Sequence, residues 1–170
     1  MDECSTNIAL TRLYARAPRG ERACARAPRN WGKNITLIAS LSAEGIGAAM
    51  SVEGATDAAA FETYVEHFLA PTLKAGQIVV MDNLSVHKSA RAKELIEGAG
   101  AEVLFLPPYS PDFSPIEEAF SKVKSILRRI GARTREALLE ATSEALHAVS
   151  RRDARGWFGH CGYDVAHHSL

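Results

Sequence analysis

Two continuous apolar runs constrain the fold of this chain more than any other feature of its sequence. Gln77–Asp82 and Glu102–Leu106 each have the length of a strand, and a helical stretch, Ser89–Gly98, lies between them. Strands that are apolar on both faces are typical of parallel sheets covered by helices, and parallel neighbours need a crossover of about a dozen residues or more. The pattern therefore predicts a βαβ unit and an α/β fold.

The segments before this unit predict a hairpin and a helix. Ile35–Ser42 and Ile46–Glu53 are apolar runs of strand length that are separated by a short turn. Glu21–Ala27 is a candidate for a third strand. Thr56 or Asp57 is placed to cap an amphipathic helix. The apolar positions of that helix are Phe61, Tyr64, Val65, Phe68 and Leu69.

The last third of the chain predicts two further amphipathic helices. The first apolar stripe consists of Ile116, Phe120, Val123, Leu127 and Ile130. The second consists of Leu138, Leu139, Ala145, Leu146 and Val149. The segment 156–170 that follows is short and is expected to dock on the body of the domain.

Composition places the chain among globular domains and excludes several other classes. The chain has 170 residues, of which 46% are hydrophobic and 24% are charged, so neither a disordered chain nor a membrane protein is indicated. No apolar run approaches the ~20 residues that span a bilayer. Cys4, Cys24 and Cys161 form no C-x-x-C pair, which favours free thiols over a zinc site or a disulfide framework. We expect a cytoplasmic protein of one domain.

Charge is balanced overall but segregated along the chain. Lys and Arg total 20, as do Asp and Glu, and the net charge of +0 argues against a protein that coats nucleic acid. Yet residues 11–33 carry seven basic side chains against one acid, and a second basic cluster spans residues 122–135. Two such patches are able to bind a polyanion such as nucleic acid. An equally good interpretation is that they are solvent-exposed faces of a protein rich in arginine.

Two acids stand where α/β proteins bind ligands. Asp82 ends the first buried run, and the ligands of open α/β sheets gather outside the carboxyl ends of the strands. Glu117 follows after 34 intervening residues, at the start of a predicted helix. Both residues also have ordinary interpretations, because Asp82-Asn83 is common turn chemistry and Ser114 to Glu117 has the form of a capping box.

The helix that Glu117 begins separates two neighbouring acids. Glu117 lines up with Lys124 and Arg128 along one border of the apolar stripe, whereas Glu118 falls on the far side of the helix. We expect Glu118 to face solvent and to pair with Lys122 four residues later.

Three segments of the chain carry a specific combination of motifs. They are Asp2-Glu3 near the start, V-V-M-D-N-L-S-V-H-K at residues 79–88, and L-P-P-Y-S-P-D-F-S-P-I-E at residues 106–117. Together they resemble the catalytic domain of mariner-superfamily insertion-sequence transposases, a DDE domain, over residues 1–131. The resemblance implies an α/β, ribonuclease H-like fold, with a five-stranded mixed sheet flanked by helices and its first and fourth strands as parallel neighbours.

The same resemblance implies the site and its chemistry. It places the catalytic, metal-binding acids at Asp2 at the end of the first strand, Asp82 at the end of the fourth, and Glu117 on the helix after the fifth. Three carboxylates offer hard oxygen ligands to two Mg²⁺ ions, which Mn²⁺ is able to replace. The implied reaction is cleavage of a DNA strand to leave a 3′-hydroxyl, followed by transfer of that hydroxyl to target DNA.

Further residues acquire expected roles beside these acids. Asn83 and His87 are expected to position the nucleophile or a phosphate, or else to cap a helix or pack. The residues expected to bind DNA are Arg12, Arg16, Arg19, Arg22, Lys124 and Arg128.

Complete family members carry an N-terminal helix-turn-helix region, and no segment of this sequence resembles one. We expect a DDE catalytic domain at residues 1–150, a C-terminal tail at 151–170 packed on it, and no N-terminal recognition domain. The expected partners are transposon ends and target DNA, with a second copy of the chain or an upstream-encoded recognition domain, and no membrane. The expected location is the bacterial cytoplasm, with the nucleoid when DNA is bound.

Two other functions fit part of the pattern. One is a catalytically inactive, truncated remnant that binds DNA or an intact transposase and regulates it. The other is a ribonuclease H-like nuclease for RNA or DNA junctions, which shares the fold and the acids but not the P-D-x-x-P-I-E segment. Selective cleavage of an RNA–DNA hybrid distinguishes this last function from the others.

Overall fold

A three-stranded antiparallel sheet opens the fold in the computed structural model, which describes residues 1–108 and 110–164. Its strands are β1 (Asp2–Thr6), β2 (Ile35–Ser42) and β3 (Gly45–Glu53), in the order β1-β2-β3. The predicted hairpin of β2 and β3 is confirmed, and its turn ends at Gly45, whose φ of +122° favours glycine. Tyr109 of the third motif and residues 165–170 of the predicted tail lie outside the described residues.

The third strand of this sheet is β1, so the prediction of a strand at Glu21–Ala27 is wrong. That segment has no regular structure and is exposed along its whole length. Its small alanines and charged arginines offer no apolar face to bury, whereas β1 buries Cys4 and Thr6 on one face.

A helical segment follows the hairpin. Helix α1 (Ala58–Tyr64) begins at Asp57, whose Oδ1 accepts a hydrogen bond from the backbone N–H of Ala60 at 2.8 Å, as predicted for a cap. The helix continues into a π-helical turn at Val65–Leu69, and the wider turn leaves Phe68 42% exposed. Phe68 is therefore not part of the buried stripe in which the sequence pattern placed it.

The predicted βαβ unit is confirmed. Strands β4 (Ile78–Met81) and β5 (Glu102–Phe105) pair in parallel, and α2 (Ala90–Gly98) crosses between them. Only one face of this pair is buried, however, because Ile78 is 58% exposed and Leu104 is 52% exposed. The expectation that helices cover both faces is therefore wrong for the face that carries these two side chains.

The two sheets meet at the first residue of the chain. The terminal amine of Met1 donates a hydrogen bond to the carbonyl oxygen of Val80 at 2.6 Å, which brings the start of β1 beside β4. The five strands combine antiparallel and parallel pairs, as expected for a mixed sheet. Their ladder hydrogen bonds fall into one group of three strands and one of two.

Three helices complete the described chain, namely α3 (Pro115–Ile130), α4 (Arg135–His147) and α5 (Arg151–His160). They pack over one face of β1 and β2, where Leu37, Ile116 and Phe120 share one core cluster. The other face of β2 belongs to a second cluster with α1, α2 and β4. Within the predicted stripes, Ile130 and Leu139 remain exposed because each lies at the border of its helix's buried face.

Helix α5 occupies the first part of the segment predicted to be a docked tail, and Trp157 packs against the core cluster of α3. No helix of the described residues is both long enough and apolar enough to cross a membrane.

Candidate active site

The first acid, Asp2, begins β1 and does not end it. The strand extends from Asp2 to Thr6 because Cys4 and Thr6 pair with β2 beyond it, so the prediction that Asp2 ends the first strand is wrong. Asp2 shares the buried face of β1 with Cys4, which lies in the core cluster of α3. Asp2 as a whole residue is only 9% exposed, and its Oδ1 accepts a hydrogen bond from the backbone N–H of Glu3 at 2.7 Å.

The second acid, Asp82, directly follows β4. Its Oδ1 accepts hydrogen bonds from the backbone N–H of Leu84 at 3.1 Å and from Nδ1 of His87 at 2.5 Å. The turn interpretation and the strand-end interpretation of Asp82 are thus compatible, since the side chain closes the turn and still lies half-exposed at the edge of the sheet.

The third acid, Glu117, lies exposed in the first turn of α3. The predicted capping box is wrong, because Ser114 occupies the N-cap position but its side chain makes no capping hydrogen bond. The backbone angles of Ser114, φ −113° and ψ 91°, place its carbonyl oxygen to accept from the N–H of Glu117 at 3.1 Å. Glu117 is therefore not held by a reciprocal cap.

Glu118 does not behave as the helical pattern predicted. It pairs with Nδ1 of His160 on α5, and Lys122 pairs with Asp153 at 2.6 Å. The predicted Glu118–Lys122 pair is replaced because α5 packs along this side of α3 and supplies a partner of opposite charge to each residue. The two neighbouring acids thus face different surroundings, since Glu118 contacts α5.

Asp82 and Glu117 both act electrostatically on Asp2. The pKa of Asp2 is raised to about 6, first because the carboxyl group is buried and further because the carboxylates of Glu117 and Asp82 lie nearby, although the hydrogen bond from Glu3 opposes the shift. Burial also lowers the pKa of the Met1 amine to about 6, against the attraction of Asp2 and Asp82. Asp2, Asp82 and Glu117 therefore share one region of negative potential where β1, β4 and α3 meet.

This donor set fits a hard divalent cation by its chemistry. Carboxylate oxygens are the ligands that Mg²⁺ and Mn²⁺ prefer, and mutual repulsion among clustered carboxylates is relieved by a bound cation. In the described part of the chain, however, no group of three or more His, Cys, Asp or Glu side chains is arranged to hold a metal ion. The acids lie in one region without forming a finished ligand sphere.

A basic side chain stands beside the acids on α3. Lys124 lies close enough to Cys4 to act on the pKa of its thiol, which puts it near the same face of β1 as Asp2. Burial raises the pKa of that thiol, and Lys124 opposes the rise. Glu117, Lys124 and Arg128 follow one stripe of the helix, and both basic residues are half-buried.

The two basic stretches of the sequence meet at a groove near the end of α3. Its volume is about 370 Å³, and Arg12 and Tyr14 line it from the segment between β1 and β2. Arg128 and Arg129 line it from α3. Arg133 also lies there and fixes the segment, because its Nη1 donates to the carbonyl oxygen atoms of Ile8 at 2.8 Å and Leu10 at 3.0 Å.

Not every predicted DNA-binding residue joins this groove. Arg16, Arg19 and Arg22 are exposed on the irregular segment, outside the lining of the groove. Arg129 and the 89% exposed Tyr14 line it but were not selected from the sequence. Arg129 belongs to the basic cluster at residues 122–135, so the sequence pattern was sufficient to select it. The position of Tyr14 in the groove is visible only in the fold.

His87 takes a different position from the one expected for a residue that touches substrate. Its side chain is fully buried and packs against the ring of Phe61, with centroids 4.7 Å apart. Burial lowers its pKa, but contacts with Glu3 and Asp82 outweigh this, so the pKa is raised overall. Asn83 is exposed next to Asp82. Sequence reasoning gave Glu3 no role, although it belongs to the acidic pair of the first motif.

Comparison with known proteins gives one family and one fold. The family model described as "DDE superfamily endonuclease" matches residues 1–139. No curated sequence relative matches the chain. The structure titled "Mos1 transposase paired-end complex with left transposon end" has a TM-score of 0.75 and 20% sequence identity, covering 93% of this chain and 50% of that chain.

Two other solved structures extend the likeness. The Mos1 mariner paired end complex with Mn gives a TM-score of 0.71 at 19% identity, over 93% of this chain and 50% of that one. The Mos1 transposase catalytic domain with Raltegravir and Mg gives 0.61 at 18% identity, over 77% of this chain and 71% of that one. These similarities confirm the ribonuclease H-like fold, and the chain spans about half the length of the chains in the Mos1 complexes.

Proposed function

Because the chain belongs to the DDE superfamily of endonucleases, whose family model matches residues 1–139, we propose that it is a transposase catalytic domain that cuts and joins DNA strands. The observation that supports this proposal is that Asp82, after β4, and Glu117, on α3, both act electrostatically on the buried Asp2 of β1. The proposed domain comprises residues 1–150, and packing of α5 through Trp157 on the cluster of α3 supports a C-terminal segment that belongs to it.

In the proposed reaction, Asp2, Asp82 and Glu117 would hold two divalent cations, Mg²⁺ or Mn²⁺. When bound, the cations supply a more nucleophilic attacking oxygen and neutralise charge on the leaving oxygen. The Mos1 structures with Mn and with Mg are consistent with this choice of metal. Lys124 lies beside the acids, where its ammonium group is placed to neutralise and orient a phosphate.

The proposed chemistry consists of two displacements at phosphorus. In the first, a water oxygen forms a bond to phosphorus, the bond from phosphorus to the 3′-oxygen breaks, and the strand ends in a 3′-hydroxyl. In the second, that hydroxyl attacks a phosphodiester of target DNA and displaces another 3′-oxygen, so one phosphodiester is made as one is lost. Neither step needs an oxidant or a reductant.

A path for the DNA backbone follows from the basic residues of α3. The stripe from Glu117 through Lys124 to Arg128 spans twelve residues, whose eleven helical rises amount to about 16 Å. That length corresponds to about five nucleotides of a B-form strand at about 3.4 Å each. The path leads from the acids to the groove lined by Arg12 and Arg129. Arg16, Arg19 and Arg22 add backbone contacts from the exposed segment beside it.

The likeness to the Mos1 complexes also supports a proposal for the partners. The similar Mos1 structures include a paired-end complex with the left transposon end and a strand transfer complex. We propose that this chain likewise acts on transposon ends and target DNA, as a homodimer or with a recognition domain encoded upstream. Its proposed location is the bacterial cytoplasm, at the nucleoid when DNA is bound.

A plasmid-nicking assay tests the proposal. The wild-type chain is incubated with supercoiled DNA in Mg²⁺, in Mn²⁺ and in EDTA, beside Asp82→Asn and an RNA–DNA hybrid substrate. We expect metal-dependent nicking of DNA that Asp82→Asn abolishes. Nicking that persists in Asp82→Asn, DNA binding without cleavage, or selective cleavage of the hybrid would each contradict it, and the second result would indicate the inactive regulator instead.

A further inference from the structure

The side chain of His87 lies between two acids of different elements. Its Nδ1 is 2.5 Å from Oδ1 of Asp82, which follows β4, and its Nε2 is 3.4 Å from Oε1 of Glu3, the second residue of β1. The ring is fully buried against Phe61. Since no part of the side chain reaches solvent, His87 has no direct access to a phosphate or a nucleophile.

The second of these contacts joins two buried atoms that have no hydrogen-bond partner. Neither Nε2 of His87 nor Oε1 of Glu3 makes a hydrogen bond within the described residues, and each faces the other. Burying a polar atom without a hydrogen bond costs free energy. In the part of the chain that the structure describes, the 3.4 Å contact between Nε2 of His87 and Oε1 of Glu3 is the one ion-pair contact that offsets this cost for both atoms, so the fold favours keeping them close. His87 thereby ties the loop after β4 to β1.

The contact between His87 and Glu3 also constrains Asp2, because the two acids are neighbours on β1. Successive side chains of a strand point to opposite faces, so Glu3 faces His87 while Asp2 faces α3. A constraint on Glu3 is therefore a constraint on the peptide that carries Asp2. The contacts of His87 with Glu3 and with Asp82 therefore connect the strand that carries Asp2 to the loop that carries Asp82.

The hydrogen bonds of Asp82 leave one of its oxygen atoms for a ligand. The N–H of Leu84 and Nδ1 of His87 both use Oδ1, and no described residue donates to Oδ2. We propose that His87 is a positioning residue that orients the Asp82 carboxylate and sets its place relative to Asp2, with Oδ2 directed to a divalent cation. This inference rests on the proposed function, because it assigns His87 a role toward the same site.

The test measures binding of Mn²⁺ to the full chain by electron paramagnetic resonance titration, with thermal unfolding of each variant as a second readout. The variants are His87→Phe, which keeps a ring but loses both nitrogens, and His87→Asn, whose amide keeps a donor near Nδ1. Ile96→Val, in the core cluster that also contains Phe61, is a matched control that weakens packing without touching a polar group. Asp82→Ala defines the loss expected when the ligand itself is absent.

We expect His87→Phe to weaken Mn²⁺ binding about tenfold, the lower end of the loss typical when a partner of a metal ligand is removed. His87→Asn should stay within about threefold of wild type, and Ile96→Val should bind Mn²⁺ as wild type does even though it unfolds at a lower temperature. The metal concentration that gives half-maximal nicking should rise in parallel for His87→Phe.

The outcomes separate this inference from the function on which it rests. Equal Mn²⁺ affinity in wild type and His87→Phe overturns the positioning role and leaves the proposed function standing. An equal loss in Ile96→Val and His87→Phe also overturns it, since general loosening of the core then explains the effect. If His87→Phe does not fold, His87→Asn decides, because a tenfold loss there despite wild-type stability contradicts a role carried by the Nδ1 donor. A wild-type chain that binds no Mn²⁺ overturns the proposed function and this inference together.

Discussion

Burial of Asp2 beside two further carboxylates raises the pKa of its carboxyl group to about 6, against an ordinary value of 3.8. The folded state therefore holds a proton on Asp2 more tightly than the unfolded state does. Its contribution to stability is fully present below about pH 4 and is lost as the pH rises through 6. The proposed cation site thus lowers the stability of the fold at neutral pH when no cation is bound.

Asp2→Asn is expected to stabilise the metal-free fold at pH 7.5 by about 2 kcal/mol, because the amide removes a buried charge. At pH 3.5 the two proteins should differ little. Urea unfolding in EDTA at both pH values measures this difference, with the exposed Glu21→Gln as a control. An Asp2→Asn protein that is no more stable at pH 7.5 would contradict the burial of a charged group.

Glu117 and Glu118 form a natural matched pair, since they are adjacent in sequence but face different surroundings. Glu117→Gln is expected to lower the rate of DNA nicking by at least about 100-fold, because it removes one of the three charges proposed to hold the cations. Glu118→Gln loses only its contact with His160 and should keep nearly full nicking activity. The measurement is the initial rate of DNA nicking in Mg²⁺ for both variants. An equal fall in this rate for Glu117→Gln and Glu118→Gln would contradict the catalytic assignment of Glu117.

At the scale of elements, hydrophobic patterns predicted those parts of the fold whose local signals agree with their packing. The β2–β3 hairpin, the β4–α2–β5 crossover and the Asp57 cap are such cases. The motif indicated a first strand at Asp2 but put this residue at the strand's end, and the five residues of β1, with two acids, carry no clear alternation that would have corrected it. The pattern at Glu21–Ala27 failed because strand formation there would bury nothing apolar. Contacts between elements, such as those of Glu118 and His87, depend on how helices pack and are invisible to local periodicity.

Helix α5 is joined to α3 by the ion pair of Lys122 and Asp153, and it begins with a capping box of Ser150 and Asp153. The pKa of Asp153 is lowered to about 2, first by the hydrogen bond from Lys122 and then by those from Ser150. The stability that Asp153 supplies is therefore present above about pH 4 and is lost as the pH falls through 2.

Asp153→Ala is expected to destabilise the fold by about 1 kcal/mol at pH 7, mainly through loss of the cap. Amide exchange should quicken in α5 before it does in β2. Urea unfolding and hydrogen exchange test this, with Arg152→Ala on the exposed side of α5 as the control. Uniform exchange across the chain would argue against α5 as a separately stabilised element.

At the scale of the whole molecule, a net charge of +0 conceals a division between acids at the sheet edge and basic residues along α3 and its groove. Sequence reasoning recognised two basic stretches, but only the fold shows that they meet. Their meeting results from Arg133, which holds the exposed segment against the end of α3. The distribution of charge over the surface is therefore a better guide to DNA binding than the net charge.

Arg128→Ala is expected to weaken DNA binding severalfold at low salt and to reduce the slope of log affinity against log salt by about 1, because one phosphate contact is lost. The control is Arg151→Ala, since Arg151 pairs with Glu44 away from this groove. Fluorescence anisotropy with a labelled duplex at several salt concentrations gives both quantities. An unchanged slope would remove Arg128 from the proposed DNA path.

The uncovered face of β4 and β5 has a practical consequence for handling this protein. Aliphatic side chains left in water on a two-stranded sheet promote association between molecules, so concentrated samples of the chain alone should form soluble aggregates. Ile78 stands opposite Glu102 in the parallel register, and Ile78→Lys would place an ammonium group beside that carboxylate. Light scattering at rising protein concentration should show this variant to remain dispersed where the wild type does not, which would make it the better sample for spectroscopy and crystallisation.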